Sequence, residues 1–313
     1  MKKIAIMIDG GAGRILAAIP ALLKYVRNNR DDDIVVLIGG WDTLWFGIPE
    51  LQNITYSSDV KGVFENKMKD RDIVISPEPY RVPNYYNQKI SLSEAFDELI
   101  NSTTDHSDLE TLYMVLDKRE EKTAAEFIKK VKEVKKKKKT IVIQPFGRSA
   151  DNISGDIIDT SSRSIEPEVY VALIKKLSTK YNLIFFGERN IAVEEEYTAK
   201  NETDLRGWAS IIDAADYFIG CDSVGQHMAR AFNIPGTIII GSTFAINTSY
   251  PDYFNIIENE SIEKEYSPLR ICGFDSHLAD RLNDRCMEFT PKEVDAMYKN
   301  IVKDIEKKVK WEY

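Results

Sequence analysis

Short apolar runs that alternate with amphipathic stretches constrain the fold of this chain more than any other feature of its sequence. The apolar runs lie at 3–8, 34–38, 54–56 and 72–75 in the first half and at 140–144, 183–186, 217–220 and 236–240 in the second. Between the first two runs, apolar residues recur at helical spacing from Ile15 to Val26. Buried strands separated by amphipathic helices are typical of a parallel sheet covered by helices. The sequence therefore predicts an α/β protein with a doubly wound, Rossmann-like unit in each half.

The length of 313 residues exceeds the usual size of one compact domain, which favours two. A predicted helix leads into five consecutive lysines, Lys135–Lys139, and we place the boundary there, with domains at 1–138 and 139–290. The remaining segment, 291–313, is predicted to form a helix that is capped by Thr290 and packs back toward the N-terminal domain. We interpret the lysine run as a solvated helix end, with contact to an anionic membrane surface or nucleic acid as the alternative.

The composition is that of a folded and acidic protein. Hydrophobic residues make up 43% of the chain and charged residues 29%, which is the balance of a globular domain. The net charge of -8 and the sequence pI near 5.2 argue against a protein that depends on non-specific attraction to phosphate polymers.

The sequence shows no signal peptide, no membrane-spanning segment and no cysteine pattern that predicts a disulfide framework. The apolar run at residues 3–8 is too short for a signal peptide, and no segment approaches the roughly 20 apolar residues of a membrane span. The odd number of cysteines in a chain of this length fits a reducing compartment, so we expect a cytoplasmic protein. Cys272, His277 and Cys286 match no zinc pattern, and we therefore expect no metal site.

Ligands of a parallel sheet collect beyond the carboxyl ends of its strands, where helix N-termini point N–H groups outward. Such ends are predicted at Gly10–Arg14, Pro145–Arg148, Gly187–Glu188 and Cys221–His227. The last is the most informative, because a strand ends in small residues and a helix begins at once, which suits a diphosphate. The alternative is a helix capped by Asp222 or Ser223, followed by a core histidine.

The glycines at Gly10–Gly13 do not make a dinucleotide fingerprint. The third glycine is missing at the required spacing, and no acidic residue follows the second strand at Ile38-Gly39-Gly40. A nicotinamide-dependent oxidoreductase is therefore the weaker hypothesis, and a Walker-type phosphate loop is absent from the sequence.

Together these segments resemble a known family, the ADP-heptose:lipopolysaccharide heptosyltransferases. The segment 220–231, with Asp222-Ser223 followed by His227, is similar to the family's Asp-Ser/Thr-Gly-x-x-His-x-x-Ala-Ala motif, although Val224 replaces the first glycine. Further similar elements are Gly13-Arg14…Pro20-Ala-Leu22, Pro145-Phe-Gly147, Ile234-Pro235, Gly241-Ser-Thr243, Tyr250-Pro251 and Cys286-Met287. The resemblance implies a GT-B fold, in which two Rossmann-like domains face a central cleft.

The resemblance also implies roles for individual residues. The N-terminal domain would bind the acceptor, and the domain at 139–290 would bind a nucleotide sugar. By residue, Asp222, Ser223, Gly225 and His227 would hold the diphosphate, Arg163 would contact the phosphates, Glu188 the nucleoside, and Phe146 and Gly147 would line the pocket. The donor is the cosubstrate, and no other cofactor is expected.

One departure from the family concerns the catalytic base. The family's proposed base is an aspartate after the first-loop glycine, and this chain has Arg14 there. An inverting transfer needs a group that takes the proton of the acceptor hydroxyl. We predict that Asp9 replaces it, with Asp42 as second candidate, and that Arg14 contacts the donor phosphates or an anionic acceptor. The alternative for Asp9 is a turn residue that bonds to the glycine loop.

The family resemblance implies an inverting, metal-independent glycosyltransferase that uses an ADP-linked sugar and a glycan or lipopolysaccharide-core acceptor, at the inner face of the membrane or free of it. Two alternatives stay open. One is transfer to hydroxymethylated bases of viral DNA, and the other is a nucleotide-sugar-binding protein without turnover.

Overall fold

The computed structural model describes residues 1–147, 150–153, 156–159, 161–187, 198–200, 203–260 and 285–308. Its contacts divide the chain into two units, Met1–Asp117 and Lys118–Tyr313. Each unit is an α/β unit built on a parallel sheet, as the sequence predicted. Among the described helices, none has the length and apolar character needed to cross a bilayer.

The first unit contains a parallel sheet whose strand order is β3-β2-β1-β4. Its strands are β1 (Lys3–Ile8), β2 (Asp33–Ile38), β3 (Thr55–Ser57) and β4 (Ile73–Ile75). β1 lies between β2 and β4, and its register with β2 runs from Lys3 beside Asp33 to Ile8 beside Ile38. All four strands lie within two residues of the apolar runs in the sequence, and the runs of the two central strands β1 and β2 supply most of the buried side chains of the sheet.

The first sheet is accompanied by short helices. They are α1 (Ala12–Ala17), α2 (Ile19–Asn28), α3 (Pro49–Gln52), α4 (Pro83–Tyr86) and α5 (Leu92–Asn101), with 3₁₀ turns at Asp42–Trp45 and Pro79–Arg81 and a π turn at Phe64–Met68. The helix predicted within the irregular region 80–115 is α5, and it begins with a capping box between Ser91 and Glu94. α5 packs against α2, so this region is anchored to the core of its unit.

The second unit carries a wider parallel sheet, with the described strands in the order β12-β11-β10-β5-β8-β9. They are β5 (Thr140–Gln144), β8 (Asn182–Phe185), β9 (Thr198–Lys200), β10 (Tyr217–Gly220), β11 (Gly236–Ile240) and β12 (Asn255–Glu258), with an antiparallel pair β6 (Ala150–Ile153) and β7 (Asp156–Asp159). The sequence patterns missed β6, β7, β9 and β12. None of these four strands contains three consecutive apolar residues, so no apolar run marks them in the sequence.

The helices of the second unit are α6 (Lys118–Lys135), α7 (Pro167–Leu177), α8 (Leu205–Asp213), α9 (Val224–Ala231), α10 (Ala245–Thr248) and α11 (Pro291–Lys308). Thr290 caps α11 as predicted, since its Oγ1 accepts a hydrogen bond from Glu293 N at 3.3 Å and its own N–H donates to Glu293 Oε2 at 2.7 Å. Glu166 occupies the N-cap position of α7 without a side-chain capping bond, and the hydroxyl of the nearby Ser164 donates to Asp159 instead.

The contacts of α6 place the unit boundary before this helix rather than at 138. Ala124, Ile128 and Val131 form its buried stripe, and its neighbour is α8. Arg206 of α8 donates through Nε and Nη2 to the two carboxylate oxygens of Glu120, at 2.7 and 2.5 Å. The lysine run therefore leads from α6 into β5 inside the second unit.

The last helix, α11, also packs within the second unit, against α7 and β12. Its buried side chains recur at helical spacing, and its Asp304 accepts a hydrogen bond from Tyr217 of β10 at 2.6 Å. Its predicted packing toward the N-terminal domain stays a prediction.

Candidate functional site

The predicted site residues fall into two groups at the carboxyl ends of the two sheets. In the second unit, β5 ends at Gln144 and β10 at Gly220, and these two residues lie side by side in the sheet register. In the first unit, Asp9 follows β1, and Glu78 lies shortly after the neighbouring strand β4. Each group is therefore assembled by strand pairing, which brings together chain segments that are distant in sequence.

The side chain of Gln144, which the sequence analysis did not select, forms hydrogen bonds with the N-terminus of α9. Gln144 Oε1 accepts a hydrogen bond from Gly225 N at 2.8 Å, and Gln144 Nε2 donates to Ser223 Oγ at 3.1 Å. Ser223 occupies the N-cap position without a side-chain capping bond, so the alternative of a helix capped by the side chain of Asp222 or Ser223 was wrong. Gln144 reaches α9 because it ends the strand that pairs with β10.

Gly225 is required by this arrangement. A Cβ at position 225 would collide with Gln144 Oε1 and would come within 2.7 Å of the Phe218 ring. Because its N–H is already bonded to Gln144, an anion at this helix end would meet Ser223 Oγ and the outer N–H groups of the first turn.

Asp222 and His227 lie buried on either side of this helix start. Asp222 Oδ1 accepts from Gln226 Nε2 at 2.8 Å, and His227 Nδ1 lies 2.7 Å from Tyr250 Oη. Burial lowers the pKa of His227 to about 4, although the nearby charge of Asp222 acts in the opposite direction. The imidazole is therefore neutral at physiological pH. If Tyr250 donates to Nδ1, the tautomer carries its proton on Nε2, which is then a donor.

Arg163 lies in a loop that is held by two other segments of the family resemblance, Gly241–Thr243 and Cys286–Met287. Ser162 O accepts hydrogen bonds from Ser242 N at 3.1 Å and Cys286 Sγ at 3.5 Å, and Ser242 Oγ donates to Ser161 O at 2.8 Å. A Cβ at Gly241 would collide with Ser162 O. The segments Ser161–Ser164, Gly241–Thr243 and Cys286–Met287 thus meet in space, as members of one site would.

The half-buried carboxylate of Asp159 anchors the same loop. It accepts from Ser161 N at 2.7 Å and from Ser164 N at 3.0 Å, and Ser164 Oγ donates to it as well. Burial would raise the pKa of Asp159, but these hydrogen bonds and the charge of Arg163 lower it below its usual range. Arg163 itself donates from Nε to Ser161 Oγ at 3.1 Å and is half-buried, so its guanidinium has a defined place.

The predicted pocket residues Phe146 and Gly147 differ in what they contact: Gly147 bonds to the Arg163 loop, and Phe146 packs in the core. Gly147 N donates to Ser164 Oγ at 2.9 Å, which joins the end of β5 to the Arg163 loop. Phe146 is 3% exposed and packs edge to face on Tyr170 and Phe185, with centroids 5.6 and 6.3 Å away. Phe146 is therefore part of the core beneath the loop. Glu188, together with Arg148, Cys272 and His277, lies outside the described residues.

In the first unit, the buried side chain of Arg14 lies at the centre of an ion-pair cluster. Its Nη2 lies 3.1 Å from Asp9 Oδ1 and donates to Pro77 O at 3.1 Å, and its Nη1 lies 3.2 and 3.3 Å from the two oxygens of Glu78. The guanidinium also lies 5.3 Å from the centroid of the Tyr80 ring. These contacts already occupy the terminal nitrogens of Arg14, which argues against its predicted role as a contact to phosphates.

The two carboxylates of this cluster differ in exposure. The Asp9 side chain is 79% exposed and that of Glu78 only 26%. Asp42, the second candidate base, begins a 3₁₀ turn and is not an ion-pair partner of Arg14 among the described residues. Sequence reasoning missed Glu78, although its place just beyond a predicted strand was a usable signal. Within the described residues, no cluster of three or more His, Cys, Asp or Glu side chains could hold a metal ion.

No protein-family model matches the chain, and no curated protein matches it in sequence. Solved structures do match it. ADP-heptose LPS heptosyltransferase II of E. coli aligns with 98% of this chain and 99% of its own, at a TM-score of 0.65 and 14% identity. A glycosyl transferase family 9 protein of Veillonella parvula aligns with 84% of this chain and 88% of its own, at a TM-score of 0.61 and 13% identity.

A third match is the iron-containing dodecameric glycosyltransferase TibC of enterotoxigenic E. coli. It aligns with 97% of this chain and 78% of its own, at a TM-score of 0.63 and 11% identity. The chain has the GT-B fold. At these identities the likeness establishes the fold and not the substrates.

Proposed function

We propose that the protein is an inverting glycosyltransferase that transfers a sugar from a nucleotide-diphosphate donor, with an ADP-linked donor favoured, to a hydroxyl group of an acceptor. One observation carries the proposal. The end of β5 bonds to the start of α9 through Gln144 and to the Arg163 loop through Gly147, and Gly241–Thr243 and Cys286–Met287 contact the same loop.

The donor diphosphate would bind at the start of α9. Ser223 Oγ, the first-turn N–H groups other than that of Gly225 and, when Tyr250 donates to Nδ1, the Nε2–H of neutral His227 would donate hydrogen bonds to phosphate oxygens, and Arg163 would supply positive charge. Gln144 and Asp159 would act indirectly, by fixing the helix start and the Arg163 loop.

The proposed reaction is a single displacement. The acceptor oxygen forms a bond to the anomeric carbon on the face opposite the diphosphate, while the bond from that carbon to the diphosphate oxygen breaks. Asp9, the exposed carboxylate of the first unit, takes the proton of the acceptor hydroxyl. The negative charge that develops on the leaving diphosphate is stabilised by the α9 N-terminus and Arg163, without a metal.

For the acceptor we propose a glycan hydroxyl, with a lipopolysaccharide-core sugar as the class suggested by the resemblance, and we propose that the protein acts in the cytoplasm. The net charge of -8 makes a DNA acceptor the weaker candidate. A protein that binds nucleotide sugars without turnover is a second candidate, because an arginine occupies the position of the family's base.

A thermal-shift series with ADP-, GDP- and UDP-sugars tests donor binding, since a ligand of the folded state raises Tm. We expect a shift with at least one donor, its loss in Arg163→Gln, and its retention in the control Arg230→Gln. Arg230 lies at the opposite end of α9, with its guanidinium 4.5 Å from the Tyr253 ring centroid. Nucleotide release in the presence of glycan acceptors then distinguishes transfer from binding alone. The absence of a shift with every donor would contradict the proposal.

A further inference from the structure

Arg14 is held mainly by residues of the segment that follows β4. Its Nη1 donates to both oxygens of Glu78, and its Nη2 donates to the carbonyl of Pro77 at 3.1 Å. The guanidinium also lies 5.3 Å from the centroid of the Tyr80 ring and 5.7 Å from that of the Phe96 ring. Arg14 is only 7% exposed, so its side chain has little freedom to reorient while Glu78 is in place.

The other partner of Arg14 is Asp9, and the two carboxylates are bound unequally. Both oxygens of Glu78 are engaged by Arg14, and Oε1 also accepts from Tyr80 N at 3.4 Å. Asp9 is held through Oδ1 at 3.1 Å, and its side chain is 79% exposed. A base needs an oxygen that can reach the acceptor proton. Asp9 meets this requirement, whereas the oxygens of Glu78 are already occupied.

The local backbone adds to the restraint on Asp9. Gly10, with φ at +106°, turns the chain between Asp9 and α1, and a Cβ at this position would come within 2.8 Å of Arg14 Cδ. On the β2 side, Gly39 N donates to Ile8 O at 3.0 Å, which fixes the residue before Asp9. The carboxylate of Asp9 is therefore attached to a fixed backbone and held by a fixed guanidinium.

We propose that Glu78 is a positioning residue that acts through Arg14 to hold Asp9 in the orientation needed for proton transfer. Asp9, Arg14 and Glu78 together form what we call the Arg14 clamp. This inference rests on the proposed function, because Asp9 is the base of that reaction. The arginine that replaces the family's aspartate thereby gains a role, which is to orient a base that lies five positions earlier in the sequence.

The first test compares kinetic constants. We expect Glu78→Ala to lower kcat by roughly ten- to a hundredfold, since misplacing a reacting group by about 1 Å has effects of this size, with KM for the donor within about twofold. Glu78→Gln keeps an acceptor for Arg14 and should recover much of the lost rate. A rise in KM with unchanged kcat would overturn the proposal, because it would make Glu78 a substrate-binding residue.

A double-mutant cycle with Arg14→Met tests whether Glu78 acts through Arg14. If it does, Glu78→Ala should lower kcat by less than about twofold in the Arg14→Met background, because the connection is already broken. If the effects of Glu78→Ala and Arg14→Met on kcat multiply in the double variant, the proposal is overturned. It is also overturned if the kcat of Glu78→Ala equals that of the unmodified protein.

A chemical measurement tests the clamp without any turnover. Phenylglyoxal labels accessible arginines, and the extent of labelling at Arg14 is read by mass spectrometry. We expect Arg14 to be protected in the unmodified protein and labelled in Glu78→Ala. The matched control is the ion-pair cluster of Arg27, which lies 2.9 Å from Glu50 and 2.6 Å from Glu110 in the same unit. Glu50→Ala should raise labelling at Arg27 and leave both Arg14 and kcat unchanged.

The labelling result separates this inference from the proposed function. If no nucleotide sugar is turned over but Arg14 becomes reactive in Glu78→Ala alone, the clamp stands and the proposed transferase activity fails. If Arg14 stays protected in Glu78→Ala, Glu78 does not hold it, and the inference is overturned whatever the activity.

Discussion

The carboxyl edges of the two sheets are built from the same kind of strand-to-helix turn, yet they carry opposite chemistry. After β10, the chain enters α9 through Asp222 and Ser223, and a neutral amide from Gln144 completes the helix start. After β1, the chain turns at Gly10 into α1, where Arg14 collects the carboxylates of Asp9 and Glu78. The second edge thus offers hydrogen-bond donors to an anion, while the first edge presents an exposed carboxylate.

This difference corresponds to the two needs of a displacement at a sugar carbon. A leaving diphosphate needs donors and positive charge, and an attacking hydroxyl needs a base. The contrast also explains why arginine at position 14 does not by itself imply a lost activity, because a carboxylate is still present at the same strand edge.

The largest expected effect is a loss of kcat on substitution of Asp9, the exposed carboxylate beside Arg14. Asp9→Asn should lower kcat by about 10²- to 10⁴-fold, the usual contribution of a general base, while the donor-induced rise in Tm stays unchanged. The matched change Asp42→Asn should have little effect on kcat. Loss of donor binding in Asp9→Asn would break the comparison, because the first edge would then bind the donor.

The second-largest expected effect is a pH dependence of the free energy of unfolding, and it arises from His227 at the carboxyl end of the second sheet. Because the pKa of His227 is lowered to about 4 in the folded protein and is 6.5 in its ordinary state, the unfolded chain binds the extra proton between these values. The free energy of unfolding should therefore fall as the pH drops from about 6.5 toward 4, by about 3 kcal/mol from this residue, and the full contribution is present above 6.5.

Urea unfolding of His227→Gln and the parent protein across this pH range measures the effect. The variant should show a smaller loss of stability on acidification. Equal slopes in the two proteins would show that His227 is not held neutral, and the second edge would then carry a cationic imidazole.

The amide of Gln144 is the third point of comparison. Gln144→Leu removes the acceptor of the buried Gly225 N–H, so we expect a loss of about 1–3 kcal/mol in the free energy of unfolding. Gln144→Glu keeps an acceptor but adds negative charge beside the proposed diphosphate site, so donor affinity should fall more than stability. As a control, Gln52→Glu alters an exposed acceptor of Gly47 N in the first unit and should change neither quantity. Full donor affinity in Gln144→Glu would place the diphosphate elsewhere.

The smallest effect should follow removal of the hydroxyl that fixes the Arg163 loop. Ser242 is fully buried and donates to Ser161 O at 2.8 Å, so Ser242→Ala should cost about 1 kcal/mol of stability and weaken donor binding a few-fold. Ser210 is 3% exposed and donates to Gly207 O at 2.8 Å within α8, which makes Ser210→Ala the matched control. A similar loss of donor affinity in both variants would show that the effect is general destabilisation.

The sequence by itself determined the α/β class, the two parallel sheets and the residues at which most strands and helices begin and end. These features are local: apolar runs form buried strands, Pro291 and Thr290 mark the start of α11, and Gly220–Gly225 marks a strand end followed by a helix. It also pointed to Ser223 and His227, because a strand end of small residues that leads directly into a helix is typical of anion sites, whereas Arg163 was selected only by the family resemblance.

Only the tertiary structure decided which distant residues share an edge. Gln144 reaches Gly225 because β5 pairs with β10, and Glu78 reaches Arg14 because β4 pairs with β1. Strand order and register have no signal in a single short run, since they follow from the packing of the whole sheet. The tertiary structure likewise moved α6 into the second unit through Arg206 and Glu120, and it joined Arg14 to two carboxylates where the sequence suggested a phosphate contact.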